Sequence, residues 1–312
     1  MYDPRLVEIS GVDPDRLPPL LEIDGILGEV TTEAATALGL PDGVVVRAGM
    51  NDTQAGAFAT GALDSRQRCG LMIGTTAVLI QSIDTKKMDL DREILSMPTP
   101  VPDRYVVMAE NGIAGRAVER ALEVLSPGAV TADEQFAELE SALAHSAPGA
   151  GDLLFLPWLA GSMSPASSST MRGGYLGMSL VTERADLLRA TVEGVARNLR
   201  WLWPAVGELC GVDATEVVLG GGAARSHGVA GVLADVLGVP VTVLEEPSLA
   251  AARAVGSVAL TRTLGGDPTT LEVHRGARHE PDPTAVPVHD RLQPIFEAAF
   301  EANRPICEAL TP

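Results

Sequence analysis

Three stretches of this sequence predict a layered α/β fold with a partly parallel sheet. From Val217 onward, Val217–Leu219, a Gly-rich turn, Gly228–Leu237, Val239–Leu244 and Leu249–Leu264 alternate strand-like and helix-like runs. That is the rhythm of strands joined through helices. A long helix opens near Thr182, where Leu188, Val192, Val195, Leu199 and Leu202 recur at spacings of four and three along one face. Finally, a strand-like run over Val44–Ala48 stops at Gly49 and passes into a small-residue helix over Thr53–Thr60. A strand, a sharp turn and a helix is where α/β proteins place chemistry.

Taken in order, residues 1–45 are rich in Pro and Gly, with a short helix over Thr32–Leu38 stopped by Gly39 and Pro41. Past Arg68, Leu71–Ile73 and Ala77–Ile80 flank Gly74-Thr75-Thr76 and read as a hairpin with a tight turn. Tyr105–Ala109 follows as a strand, then Ile113–Leu125 and Ala132–Ala144 as helices, then Leu153–Leu156 as a buried strand ending at Pro157. Thr182 suits the N-cap of the long helix, and Glu183 and Asp186 suit its positive end. Pro204 is expected to kink or end that helix. His274, His279 and His289 fall in a Pro-rich stretch without metal-ligand spacing and read as a surface loop. There is no repeat at a solenoid period.

Composition narrows the function. Over 312 residues the chain is 46% hydrophobic and 21% charged, enough to bury a substantial core. Its net charge of -18 excludes nucleic acid and anionic membrane as partners, since both would repel it. It does not exclude a phosphate site, which backbone N–H groups build without basic side chains. Cys69, Cys210 and Cys307 are far apart and form no ligand pattern, so they read as buried thiols. The apolar run from Gly228 to Leu244 is broken by Asp235 and Pro240, and the first residues lack the pattern of a leader. A cytoplasmic protein is expected.

Three segments have the residue types for phosphate chemistry. Asp52, in Gly49-Met50-Asn51-Asp52-Thr53-Gln54, stands at a helix N-terminus, where the helix dipole favours a charged carboxylate able to act as a general base. The same segment also fits plain capping of the helix by Asn51 or Asp52. Gly74-Thr75-Thr76 offers two hydroxyls and a glycine to phosphate oxygens, although an ordinary hairpin turn reads identically. Gly220-Gly221-Gly222-Ala223, between a strand and a helix that includes Ser226, lets a nucleotide pass close to the backbone with the helix N-terminus facing its phosphates. A dinucleotide fingerprint would need glycine at position 225, which is Arg225. A Walker A loop would need lysine after glycine, and the only lysines are Lys86 and Lys87.

Gly173-Gly174-Tyr175-Leu176-Gly177-Met178 followed by Asp186-Leu187 and Ala190-Thr191-Val192-Glu193 resembles the C-terminal signature of the FGGY carbohydrate kinases. Gly49–Gln54 resembles that family's catalytic-aspartate segment, Gly74–Thr76 its second phosphate loop, and Gly220–Ala223 with Ser226 its adenosine loop. Leu156-Pro157-Trp158-Leu159-Ala160-Gly161 and Met171–Gly174 resemble xylulokinase-like members. The resemblance implies an actin-like ATPase (ribonuclease H-like) fold. Residues 1–65 would be a remnant of the N-terminal FGGY domain carrying the catalytic aspartate, and residues 66–312 the nucleotide-binding C-terminal domain. It implies ATP and Mg²⁺, with Asp52 as base and Asn51 beside it at the substrate. Gly74, Thr75 and Thr76 would hold the phosphates, and Gly221, Gly222, Ala223 and Ser226 the adenosine. It implies a sugar or polyol substrate and, because no Asp-x-Gly-Thr phosphate loop is present, a separate N-terminal kinase domain or a second copy as partner. The alternative is a non-catalytic remnant that binds nucleotide and needs a partner domain. Apolar surface is expected to be exposed around residues 1–60. Where many relatives have an aromatic residue and a glutamine after the serine, this chain has Gly228–Gly231. Glu193 reads as a structural contact.

Overall fold

A computed structural model describes residues 2–310 and divides into two compact units, Met1–Asn51 and Asp52–Pro312. The first holds helix α1 (Pro4–Ser10), strand β1 (Ile26–Glu29), helix α2 (Thr32–Leu38) and strand β2 (Val45–Arg47), with β1 and β2 antiparallel. Thr31 caps α2 by accepting from the Ala34 N–H, and Gly39, at φ 66°, ends it as expected. Leu6, Ile9, Ile26, Leu27 and Leu38 of this unit are exposed, in line with the apolar surface anticipated there. That anticipation fails for residues 53–60. They form helix α3 (Asp52–Thr60), whose small side chains are buried in the large unit because they let the helix lie close against the sheet.

The large unit continues with β3 (Arg68–Ile73), β4 (Ala77–Ile83), β5 (Leu95–Pro98), β6 (Tyr105–Asn111), α4 (Gly115–Leu125), α5 (Ala132–His145), β7 (Leu154–Leu156) and β8 (Gly174–Leu176). It ends with α6 (Arg184–Cys210), β9 (Glu216–Gly220), α7 (His227–Leu237), β10 (Val241–Leu244), α8 (Ala250–Thr263), β11 (Arg275–His279) and α9 (Val286–Leu310). Seven strands form one sheet in the order β11-β10-β9-β3-β4-β6-β5. Within it, β3, β9 and β10 are mutually parallel and the other pairs antiparallel.

Period-two alternation along β3 separates the two faces of the sheet. Cys69, Leu71 and Ile73 enter the main core with Leu188, Val192, Val195 and Leu199 of α6 and Val229 and Leu233 of α7. Gly70 and Met72 face α3 instead, next to Thr60 and Gly56. Helices α3 and α8 therefore cover one face, and α6 and α7, backed by α4 and α5, the other.

Every member of the predicted α6 stripe is buried. Two details of that helix differ from expectation. Its N-cap is Glu183, in a capping box with Asp186, while the Thr182 hydroxyl accepts from the Ser179 N–H. Nor does Pro204 end it. The helix runs on to Cys210 because Leu202, Ala205, Val206 and Cys210 are buried around the proline, and that burial outweighs one lost backbone bond. The same override corrects the Pro-rich histidine stretch. His279 ends strand β11, and His289 is fully buried in α9, a helix that contains Pro294 and Pro305. His274 alone is exposed and outside the named elements. Phe296 and Phe300 of α9 pack on Trp158 with ring centroids 5.2 and 4.8 Å away, which is where the helix gains its stability.

Candidate nucleotide site

Two of the sequence motifs leave adjacent parallel strands at the same level. Met72 of β3 pairs with Gly220 of β9, so the turn after β3 and the glycine loop after β9 emerge side by side. Gly221 makes that approach possible. It sits at φ 77°, and a Cβ there would lie 2.4 Å from the Ile73 carbonyl oxygen. Hairpin β3–β4 turns at Gly74–Thr76 as expected, with the Gly74 N–H donating to the Thr76 carbonyl at 2.9 Å. The first amides of α4 fix the turn from outside. Ala114 N–H donates to Thr75 O and Gly115 N–H to Gly74 O, each at 3.0 Å. With its carbonyls engaged, the turn presents Thr75 to solvent, and among the described residues its hydroxyl has no hydrogen-bond partner.

Between turn and loop lies a cavity of about 460 Å³, lined at one end by Gly74, Thr75, Gly222 and Ala223. Its other walls are apolar residues of α4, α5, α6 and α7, with Phe136, Gln135, Glu119 and Arg225 as the larger aromatic or polar side chains. A mostly apolar cavity with a few polar groups has the form and size of a cofactor or small-molecule pocket. Thr76 is half-buried beside Thr75 and does not line the cavity, and Gly221 backs onto Ile73 instead of facing it.

Helix α5 holds the glycine loop through one face. Asp133 pairs with Arg225 at 3.0 Å, the Arg225 guanidinium lies 4.4 Å over the Phe136 ring, and Glu140 accepts from the Ser226 hydroxyl and, at 3.1 Å, from the Gly228 N–H. The first amides of α7 are engaged within the chain: Glu140 takes the Gly228 N–H and the Ser226 Oγ takes the Val229 N–H. Ser226 itself is 1% exposed and braces the loop from behind. Sequence reasoning missed Asp133, Phe136 and Glu140, which belong to no motif. The one signal was Gly228, where a Cβ would come within 2.9 Å of the Glu140 carboxylate.

Asp52 lies outside this cavity. It opens α3 on the opposite face of the sheet, is exposed, and its Oδ1 accepts from the adjacent Thr53 N–H at 2.8 Å. Thr53 and Gln54 are buried behind it, and the Gln54 amide donates to Pro98 O at 2.7 Å. Asn51 is exposed and closes the first compact unit.

Several titratable groups are buried away from the cavity. Glu193, 1% exposed, accepts from Arg189 Nε at 2.8 Å and the Gly149 N–H at 2.9 Å, and pairs with Arg197 at 3.4 Å. Burial pulls the Arg197 guanidinium below its ordinary range while Glu193 holds it up. His289 accepts from Arg197 through Nδ1 at 2.9 Å; burial, together with Arg197, pushes it down to about 3. Cys69 and Cys210 are buried free thiols, raised by burial to about 12 and about 11. Among the described residues no three His, Cys, Asp or Glu side chains gather as metal ligands. Among the described residues no helix is long and apolar enough to cross a membrane.

Comparison with known proteins agrees with this geometry. Residues 69–261 match the C-terminal domain of the FGGY family of carbohydrate kinases, and residues 1–59 match its N-terminal domain. The xylulose kinase of Staphylococcus epidermidis is 30% identical over 242 residues, which is 76% of this chain and 47% of that protein. The chain thus spans about half the length of the curated relatives it matches. Among solved structures, a xylulose kinase from Rhodospirillum rubrum superposes with TM-score 0.79 at 28% identity, over 98% of this chain and 60% of that one. A kinase from Brucella ovis, described as a xyloylose kinase, superposes with TM-score 0.85 at 24% identity, over 98% and 62%.

Proposed function

This chain belongs to the FGGY family of carbohydrate kinases, and on that premise we propose that it carries the nucleotide site and catalytic aspartate of an ATP-dependent sugar or polyol kinase. The observation that carries the reading is the joint lining of one cavity by the Gly74–Thr75 turn and the Gly222–Ala223 loop. The apolar walls accept the base and ribose. The turn supplies the Thr75 and Thr76 hydroxyls to the β- and γ-phosphates, where preorganised donors stabilise transferred charge. Asp52 takes the proton from the attacking hydroxyl, with Asn51 orienting the substrate beside it; its exposure leaves it open to solvent-borne substrate. Mg²⁺ enters with the nucleotide as its counter-charge. Among the described residues no three His, Cys, Asp or Glu side chains gather to hold it.

The substrate is a sugar or polyol, in keeping with relatives named xylulose kinase and erythritol kinase. The rest of the sugar-binding wall comes from additional N-terminal kinase domain, from a separate chain or from a second copy, and the protein works in the cytoplasm. The test is Mg·ATP-dependent ADP release over a panel of ketoses and polyols, with Asp52→Asn alongside. Release that depends on one sugar and is lost in Asp52→Asn is the expected result. Sugar-dependent release that survives Asp52→Asn removes Asp52 from the mechanism. ADP binding without turnover, with or without an added N-terminal domain, leaves a nucleotide-binding module in place of a kinase.

A further inference from the structure

The first amides of a helix attract anions, and a glycine loop running into a helix is the usual place to seat a phosphate. In α7 that place is already taken. The helix has no acidic residue in its own first turn, and the carboxylate that complements its dipole arrives from α5. Glu140 bonds both the buried N-cap hydroxyl of Ser226 and the N–H of Gly228, and Gly228 has no side chain to keep it away. Three α5 residues on one helical face hold this loop: Asp133 and Phe136 meet Arg225, and Glu140 meets Ser226 and Gly228. At its other end the loop is seated by Gly221 against Ile73. Gly222 and Ala223, which border the cavity together with Arg225, lie between these anchors.

We propose that Glu140 is the positioning residue of the nucleotide site: it holds the 221–226 loop at the height that shapes the cavity and closes the α7 N-terminus to phosphate. The proposal rests on the nucleotide reading above and adds a residue that no motif contains. It makes α5 a working wall of the site, because removing the carboxylate frees both the cap hydroxyl and the Gly228 amide and lets the loop settle elsewhere.

The experiment uses the full chain. ADP binding in the presence of Mg²⁺ is measured by calorimetry for wild type, Glu140→Ala, Glu140→Gln and, as a control on the same helix, Glu138→Gln, together with amide exchange of residues 221–229 and melting temperature. Glu140→Ala is expected to weaken ADP binding about tenfold or more, the scale of one lost charge-assisted bond, and to speed exchange at Gly228. Glu140→Gln, whose amide oxygen still accepts one bond, falls between, and Glu138→Gln binds as wild type does. If Glu140→Ala does not fold, the near-isosteric Glu140→Gln still carries the comparison. Unchanged ADP affinity and unchanged Gly228 exchange in the Glu140 variants overturn the proposal while leaving the nucleotide reading intact. A wild type that binds no ADP overturns the nucleotide reading, and the proposal falls with it.

Discussion

Replacing Glu193 with alanine tests how the core of the large unit tolerates charge. The carboxylate is 1% exposed and lies between Arg189 and Arg197, themselves 5% and 1% exposed. Its removal leaves two buried guanidiniums without a counter-charge, held only by the Leu143, Ser146 and His289 acceptors, and the Gly149 N–H without its acceptor. Breaking a buried pair by deleting one partner costs about 3–5 kcal/mol, because the surviving charge stays desolvated. For a unit of this size roughly 2 °C of melting temperature accompanies each kcal/mol, so Glu193→Ala is expected to melt about 6–10 °C lower. Glu193→Gln keeps the shape and one acceptor and should lose less. Replacing Arg189, Glu193 and Arg197 together with Met, Leu and Met should recover most of the loss, since no charge is then left to solvate. Urea unfolding and calorimetry at neutral pH decide it. A Glu193→Ala protein within about 1 kcal/mol of wild type would mean that water or rearrangement solvates the two arginines, refuting the account of this network as dry and mutually compensating.

Two other perturbations have equally definite outcomes. His289 is neutral when folded, with its value at about 3, and titrates near its ordinary 6.5 when unfolded. Between those limits the unfolded chain binds the extra proton, so stability present above pH 6.5 is lost on acidification by up to about 1.4 kcal/mol per pH unit. Urea midpoints at pH 7.5, 6.5 and 5.5 should therefore fall less steeply for His289→Gln than for wild type; equal slopes would show that His289 is not the group responsible. Gly221→Ala places a methyl 2.4 Å from the Ile73 oxygen at a positive φ, which should cost at least about 1–3 kcal/mol and weaken ADP binding. A variant indistinguishable from wild type in both would show that the loop is not seated on β3.

What could be read from the sequence is what is encoded locally. The hairpin at Gly74–Thr76, the α6 stripe and the strand–loop–helix at Gly220–Ser226 each follow from residue type and spacing, and all appear where expected. Pro204 does not end α6, because a proline's local penalty is visible in sequence while the burial that outweighs it is not. The site was legible as loops and illegible as a cavity. Phe136 and Glu140 are ordinary residues of an amphipathic helix until α5 is laid against the loop after β9. Asp52 shows the converse, a residue whose capping and catalytic readings coexist locally and whose bond to the adjacent Thr53 N–H decides for neither.

Helix α6 gives the cavity one stiff wall and leaves the others compliant. Its 27 residues make a rod about 40 Å long, tied near its start by the Ser146–Asp186 hydrogen bond and at its end by Arg66 on the Cys210 carbonyl. Val192 and Val195 border the cavity, while between them Gly194 lies so close to strand β7 that a Cβ would stand 2.2 Å from the Phe155 oxygen. A rod wedged in this way has no room to recoil from a ligand pressing on its valines. Any adjustment to the size of the guest must come from the opposite side, through α5 and the loop it carries, so the fit of the pocket is set there.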